Sequence, residues 1–145
     1  IKDCTIYKVN KDSMKYLNII LLLMSFSMSA QEWITDDNFD SKINERKAFG
    51  DDQSLPVAVE FYAKFNDANK FEDWSKLENV IYYRADISNS PEAKKKYKVR
   101  MAPTLIIFKD GIKEVIFKAG LDLVLPADLQ EIQESINEIN NASKF

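Results

Sequence analysis

The chain has no histidine and a single cysteine, Cys4, among its 145 residues. Histidine is the side chain that titrates near neutral pH and the commonest metal ligand, so its absence removes the usual general base and the usual zinc site. One thiol cannot close an intramolecular disulfide, and Cys4 lies upstream of every segment with globular patterning. The three glycines, Gly50, Gly111 and Gly120, are too scattered to form a phosphate-cradling loop. No metal and no cofactor are expected. Nor is there an excess of positive charge: the chain carries 20 basic and 23 acidic residues. Residues 1–30 hold four of the basic and two of the acidic ones, so the rest has net charge −5. Nucleic acid, whose binding draws on a dominant basic face, is therefore not an expected partner. The run Glu92-Ala93-Lys94-Lys95-Lys96 reads as a solvated helix face.

A long apolar run is also missing. The longest begins at Leu17 and ends at Phe26, short of the about 20 residues that span a bilayer. It is preceded by Met14 and Lys15 and followed by the small residues Ser27, Ser29 and Ala30. That layout is a secretory signal peptide at 14–30, cleaved after Ser29 or Ala30. Residues 1–13 read as an upstream extension and 31–145 as one domain. A periplasmic or secreted location follows, with membrane contact only through an uncleaved leader. On this expectation the processed chain has no thiol.

The domain reads as alternating elements. Asp36, Asp37 and Asn38 offer N-cap oxygens to a helix running to about residue 49, with Phe39 and Ile43 on one face. Residues 50–54 read as a loop. Residues 57–63, entered through Pro56, are apolar on both faces, as in a central strand. Phe71, Trp74 and Leu77 form an inner stripe on a helix expected over 66–77. Residues 80–87 read as a strand, and Ser90-Pro91 as a cap and first turn of a short helix. Residues 104–108 and 112–118 flank Lys109-Asp110-Gly111 as a hairpin. A last helix opens at Pro126 or Asp128 and repeats Leu129, Ile132, Ile136 and Ile139. A short strand near Trp33 completes the set.

Two segments carry a family resemblance. Val59-Glu60-Phe61-Tyr62-Ala63 resembles the strand that precedes the active-site turn of thioredoxins and protein disulfide isomerases. Lys96-Tyr97-Lys98-Val99-Arg100-Met101-Ala102-Pro103-Thr104 resembles their proline loop. The resemblance covers nearly all of 36–139. It implies an α/β thioredoxin fold, a central mixed sheet of four to five strands with helices on both faces. It also implies a cis Ala102–Pro103 bond and a main-chain docking edge at Met101, Ala102 and Pro103, where the residue before the proline turns its N–H and C=O outward.

The departures from the family matter equally. Asn66-Asp67-Ala68-Asn69 stands where the family has Cys-x-x-Cys. Phe65 takes the place of a tryptophan, and Trp74 that of the proline that kinks the following helix, so a straighter helix is expected. Asn66 or Asp67 is suited to cap that helix, and Asn69, one turn on, can reach Asn66. Glu60 matches the family's buried carboxylate and needs a partner, for which Lys64, Lys70 or another lysine is a candidate.

The functional expectation is an exported, redox-inactive binding module. Its partner is an extended or partly folded polypeptide, or a dedicated protein, held at Phe65, Met101, Ala102 and Pro103. One alternative is a thiol–disulfide oxidoreductase by family descent, which would require a thiol. The other is a structural subunit of an envelope complex.

Overall fold

The computed structural model describes residues 30–45 and 54–142. The expectations for 1–13, for the leader up to Ser29 and for 46–53 lie outside them. Five strands form the sheet: β1 (Glu32–Ile34), β2 (Val57–Tyr62), β3 (Ile81–Asp86), β4 (Thr104–Lys109) and β5 (Ile112–Lys118). Their spatial order is β1-β3-β2-β4-β5. β3 pairs parallel with β1 and β2, whereas β4 pairs antiparallel with β2 and β5, so the sheet is mixed.

Alternation along the central strands divides the core into two layers. Val57, Val59 and Phe61 face one side with Ile106 and Phe108. There they meet Phe39 and Ile43 of α1 (Phe39–Ile43) and Ala93 of α2 (Pro91–Lys96). Ala58, Leu105 and Ile107 face the other side, under Ile132 and Ile136 of α3 (Leu129–Ala142). Strand β4 is buried along its whole length, which its apolar, β-branched sequence permits.

Capping explains the ends of two helices. Asp128 and Glu131 exchange side-chain and main-chain bonds, a capping box that starts α3. At α2, Pro91 takes the first turn, but the Ser90 hydroxyl turns to the Ile34 carbonyl. The free N–H groups of Glu92 and Ala93 are instead bound by the Asp36 carboxylate, each at 2.9 Å. α1 ends at Ile43, with Asn44 past its last turn, short of residue 49.

The largest correction falls on 66–77. No continuous α-helix forms there. Two 3₁₀ segments, Lys64–Asn69 and Glu72–Lys76, are separated by extended backbone at Lys70 and Phe71. The apolar stripe is real: Phe71, Trp74 and Leu77 all pack on the second core layer. The backbone is broken because both main-chain groups of Phe71 are taken by side chains from the sheet. Its N–H donates to Glu60 Oε1 at 2.9 Å, and its carbonyl accepts from Arg84 Nη2 at 3.0 Å. In an α-helix that N–H would serve the carbonyl of Asp67.

Candidate functional site

Strand β2 ends at Tyr62, and the chain turns at once through Ala63 into the first 3₁₀ segment. This places Phe65, Asn66, Asp67, Ala68 and Asn69 beyond the C-terminal end of the central strand. Phe65 is 75% exposed, which leaves its ring almost wholly in solvent. The Asn66 carboxamide points the other way. Its Nδ2 donates to the carbonyl of Ala102 at 2.9 Å and to that of Leu123 at 2.8 Å. Its Oδ1 accepts from Asn69 Nδ2 at 2.9 Å. The two asparagines thus act as one unit, joining the turn to the proline loop and to the loop before α3.

This geometry corrects two expectations. Neither Asn66 nor Asp67 caps a helix, since the first 3₁₀ segment has no side-chain cap bond. Asp67 accepts instead from the Tyr62 hydroxyl at 2.7 Å and from Lys70 Nζ at 2.9 Å. Lys70, then Tyr62, hold the Asp67 carboxyl below its ordinary pKa of 3.8, and the Asp67 bond raises that of Tyr62. Second, the Ala102 carbonyl is not left without a donor, since it accepts from Asn66 Nδ2.

The Ala102–Pro103 peptide is cis. Ala102 and Pro103 are both buried, and Met101 is half-exposed. The Met101 carbonyl accepts from Thr104 Oγ1 at 2.6 Å, and the Pro103 carbonyl from the Ala119 N–H at 3.1 Å. Of the candidate contact residues, Phe65 and Met101 therefore present side chains to solvent. Sequence reasoning missed two others, Leu121 and Val124, which are 93% and 46% exposed. They flank Leu123, whose carbonyl Asn66 holds and whose backbone sits at φ +57°. Loop residues carry no periodicity, and the only signal was apolar residues in a segment with turn chemistry.

Beneath the turn lies a buried charge pair. Glu60 is 0% exposed and faces the second core layer. Its partner is Arg84, not a lysine: Arg84 Nε and Nη2 each lie 2.8 Å from Oε2. Arg84 stands opposite Glu60 in the parallel register of β2 and β3. The Tyr82 hydroxyl donates to the same carboxylate oxygen at 2.5 Å. Burial, reinforced by the Glu60 charge, drives the Tyr82 pKa far up, so this phenol remains a donor. For Arg84, burial opposes the charge, but Glu60 outweighs it and the net direction is upward. The rings of Trp33 and Tyr62 each lie 5.8 Å from the guanidinium and meet edge to face at 5.2 Å. Both carboxylate oxygens of Glu60 are bonded within the protein.

Among the described residues no three His, Cys, Asp or Glu side chains converge as a metal site. None of their helices is long and apolar enough to cross a membrane. The arrangement offers amides, a saturated carboxylate and exposed apolar side chains. Amide groups neither ionise nor act as useful nucleophiles in this range of pH.

Comparison with known proteins agrees with this architecture. No protein-family profile matches the chain. Thioredoxin-2 of Pyricularia oryzae is 35% identical over 63 residues, 39% of this chain. That match spans 37% of the relative's length. A thioredoxin of Entamoeba histolytica, solved as a cysteine-to-serine mutant, superposes with a TM-score of 0.54 at 19% identity, covering 75% of this chain and 99% of that one. Malassezia sympodialis thioredoxin gives a TM-score of 0.55 at 21% identity, covering 77% and 95%. Oxidised Plasmodium falciparum thioredoxin gives 0.54 at 19%, covering 77% and 99%. The mixed five-stranded sheet and its flanking helices are the thioredoxin fold.

Proposed function

We propose that this protein is a redox-silent thioredoxin-like binding module acting in the periplasm or outside the cell. Its partner is an extended or partly folded polypeptide with apolar side chains. The docking face consists of Phe65, Met101, Leu121 and Val124, grouped around the Asn66 junction. One observation carries the reading: the turn that could poise a nucleophile holds Asn66 and Asn69 bonded to each other and to main-chain carbonyls. Exposed apolar side chains on ordered loops are the chemistry of a contact surface rather than of a reaction centre.

The test is photocrosslinking from Ala68, an exposed position beside Phe65, in the native compartment. Capture of a protein band is expected, and it should fall at least tenfold when Phe65→Ser and Leu121→Ser are introduced together. Undiminished capture by the double variant would overturn the docking face. Insulin reduction by the full chain, measured beside its Cys4→Ser variant, tests the other half. Turnover above the dithiothreitol blank in either would refute redox silence.

A further inference from the structure

We infer that Asn66 is the specificity-determining residue of this face: by engaging the Ala102 and Leu123 carbonyls it competes with main-chain pairing there and biases the face toward partners held by side-chain contact. The inference rests on the docking face proposed above and adds how that face selects what it holds. Both carbonyls lie outside the sheet ladder, in loops beside the turn. A carbonyl so placed is an acceptor for the N–H of an incoming extended strand. Here the same Nδ2 group supplies both acceptors, one with each of its hydrogens. An incoming peptide N–H therefore meets acceptors that already carry one bond and lie under the Asn66 carboxamide, so it must compete with a donor held within the chain.

The clasp is braced from two sides. Asn69 fixes the Asn66 carboxamide orientation by donating to Oδ1, so Nδ2 can face only the two carbonyls. Leu123 sits at φ +57°, a conformation that disfavours a residue with a Cβ, and the bond from Asn66 helps hold it there. The Leu123 N–H donates to the Gly120 carbonyl at 3.0 Å and the Val124 N–H to Asp122 Oδ1 at 3.3 Å. The loop that projects Leu121 and Val124 is thus tied to the turn that projects Phe65. Apolar side chains are displayed while the main-chain acceptors between them each carry an internal bond.

The experiment tethers a probe, so occupancy does not depend on free affinity. An acetylated Val-Thr-Val-Thr-Val peptide is attached by a thioether to Ala68→Cys in full-length protein carrying Cys4→Ser. Amide exchange of the peptide is followed by NMR. With Asn66 present, the peptide amides should exchange at the rate of the free peptide. With Asn66→Ala, at least one should be protected tenfold or more, because two acceptors are released. Asn66→Asp is the second variant: it keeps the size and can still accept from Asn69 but donates nothing, so it should behave like Asn66→Ala. Equal exchange rates with and without Asn66, whether fast or slow, would overturn the inference. The docking face fails separately, through undiminished crosslinking by the Phe65 and Leu121 double variant.

Discussion

Replacing Arg84 with methionine removes the guanidinium and leaves Glu60 at 0% exposure, with only the Phe71 N–H and the Tyr82 hydroxyl as donors. It also strips the Phe71 carbonyl of its partner. Breaking a buried ion pair from one side costs about 3–5 kcal/mol, because an uncompensated charge stays behind. A domain of this size is stable by about 5–15 kcal/mol, so the variant should sit near its threshold. At about 4 °C per kcal/mol, its Tm should fall by roughly 15 °C. Urea denaturation at pH 7.5, followed by tryptophan fluorescence, measures the loss. Removing both charges, with Glu60→Leu and Arg84→Met together, should recover part of it. What remains lost is the pairing of the Phe71 N–H, the Phe71 carbonyl and the Tyr82 hydroxyl, about 1–3 kcal/mol for each group that water cannot reach. A loss below about 1 kcal/mol, the range of an exposed pair, would refute the argument.

Asp67 should titrate below 3.8, because Lys70 and Tyr62 hold it ionised. Its depressed pKa contributes stability that is present above 3.8 and lost as pH falls through the folded value. A carboxyl-carbon NMR titration with its midpoint at or above 3.8 would contradict this. Gly111 sits at φ +76°, where a Cβ would run into the Asn44 carboxamide. Gly111→Ala should therefore lose about 1–2 kcal/mol in chemical denaturation, from the backbone alone. Asp128→Ala removes the capping box of α3 and should cost about 1 kcal/mol. Asp128→Asn, which keeps the accepting oxygen, should cost markedly less, and equal losses would mean that the cap is not the cause.

What was legible in the sequence follows the range of the interactions involved. Strand β2 and helix α3 were readable because their burial depends on the side-chain period alone, and Ile132 and Ile136 are indeed fully buried. The stripe of Phe71, Trp74 and Leu77 was readable for the same reason. The backbone beneath that stripe was not, since the groups that break it, Glu60 and Arg84, come from other elements. Arg84 itself left a trace: it is the lone cation in an otherwise apolar and aromatic strand, Ile81-Tyr82-Tyr83-Arg84-Ala85. Choosing it over Lys64 or Lys70 needed the register of a parallel pair, which sequence spacing does not encode. Ser90 was a sound local choice for a cap, and Asp36, 56 positions from Glu92, took the role through tertiary contact. The Asn66–Asn69 bond was within reach of local reasoning because it is an i,i+3 contact. The bonds to Ala102 and Leu123 span 36 and 57 positions and were not.

The broken helix and the buried charge depend on each other. A continuous helix over 66–77 would draw the Phe71 N–H and carbonyl into its own ladder, leaving Glu60 and Arg84 each one bond short inside the protein. Each unmet buried group costs about 1–3 kcal/mol, more when charged, against the about 1 kcal/mol net that a ladder bond returns. The broken geometry therefore wins at Phe71. Once the ladder is interrupted there, the segment before it is too short to nucleate an α-helix by itself. It settles as a short 3₁₀ segment kinked at Asn66 (φ −119°, ψ 32°), and Asn69, three residues on, reaches back to the Asn66 carboxamide. The salt bridge in the sheet thus sets the shape of the turn, and the turn aims the carboxamide that ties down the neighbouring loops. No thiol takes part at any point in that chain of causes.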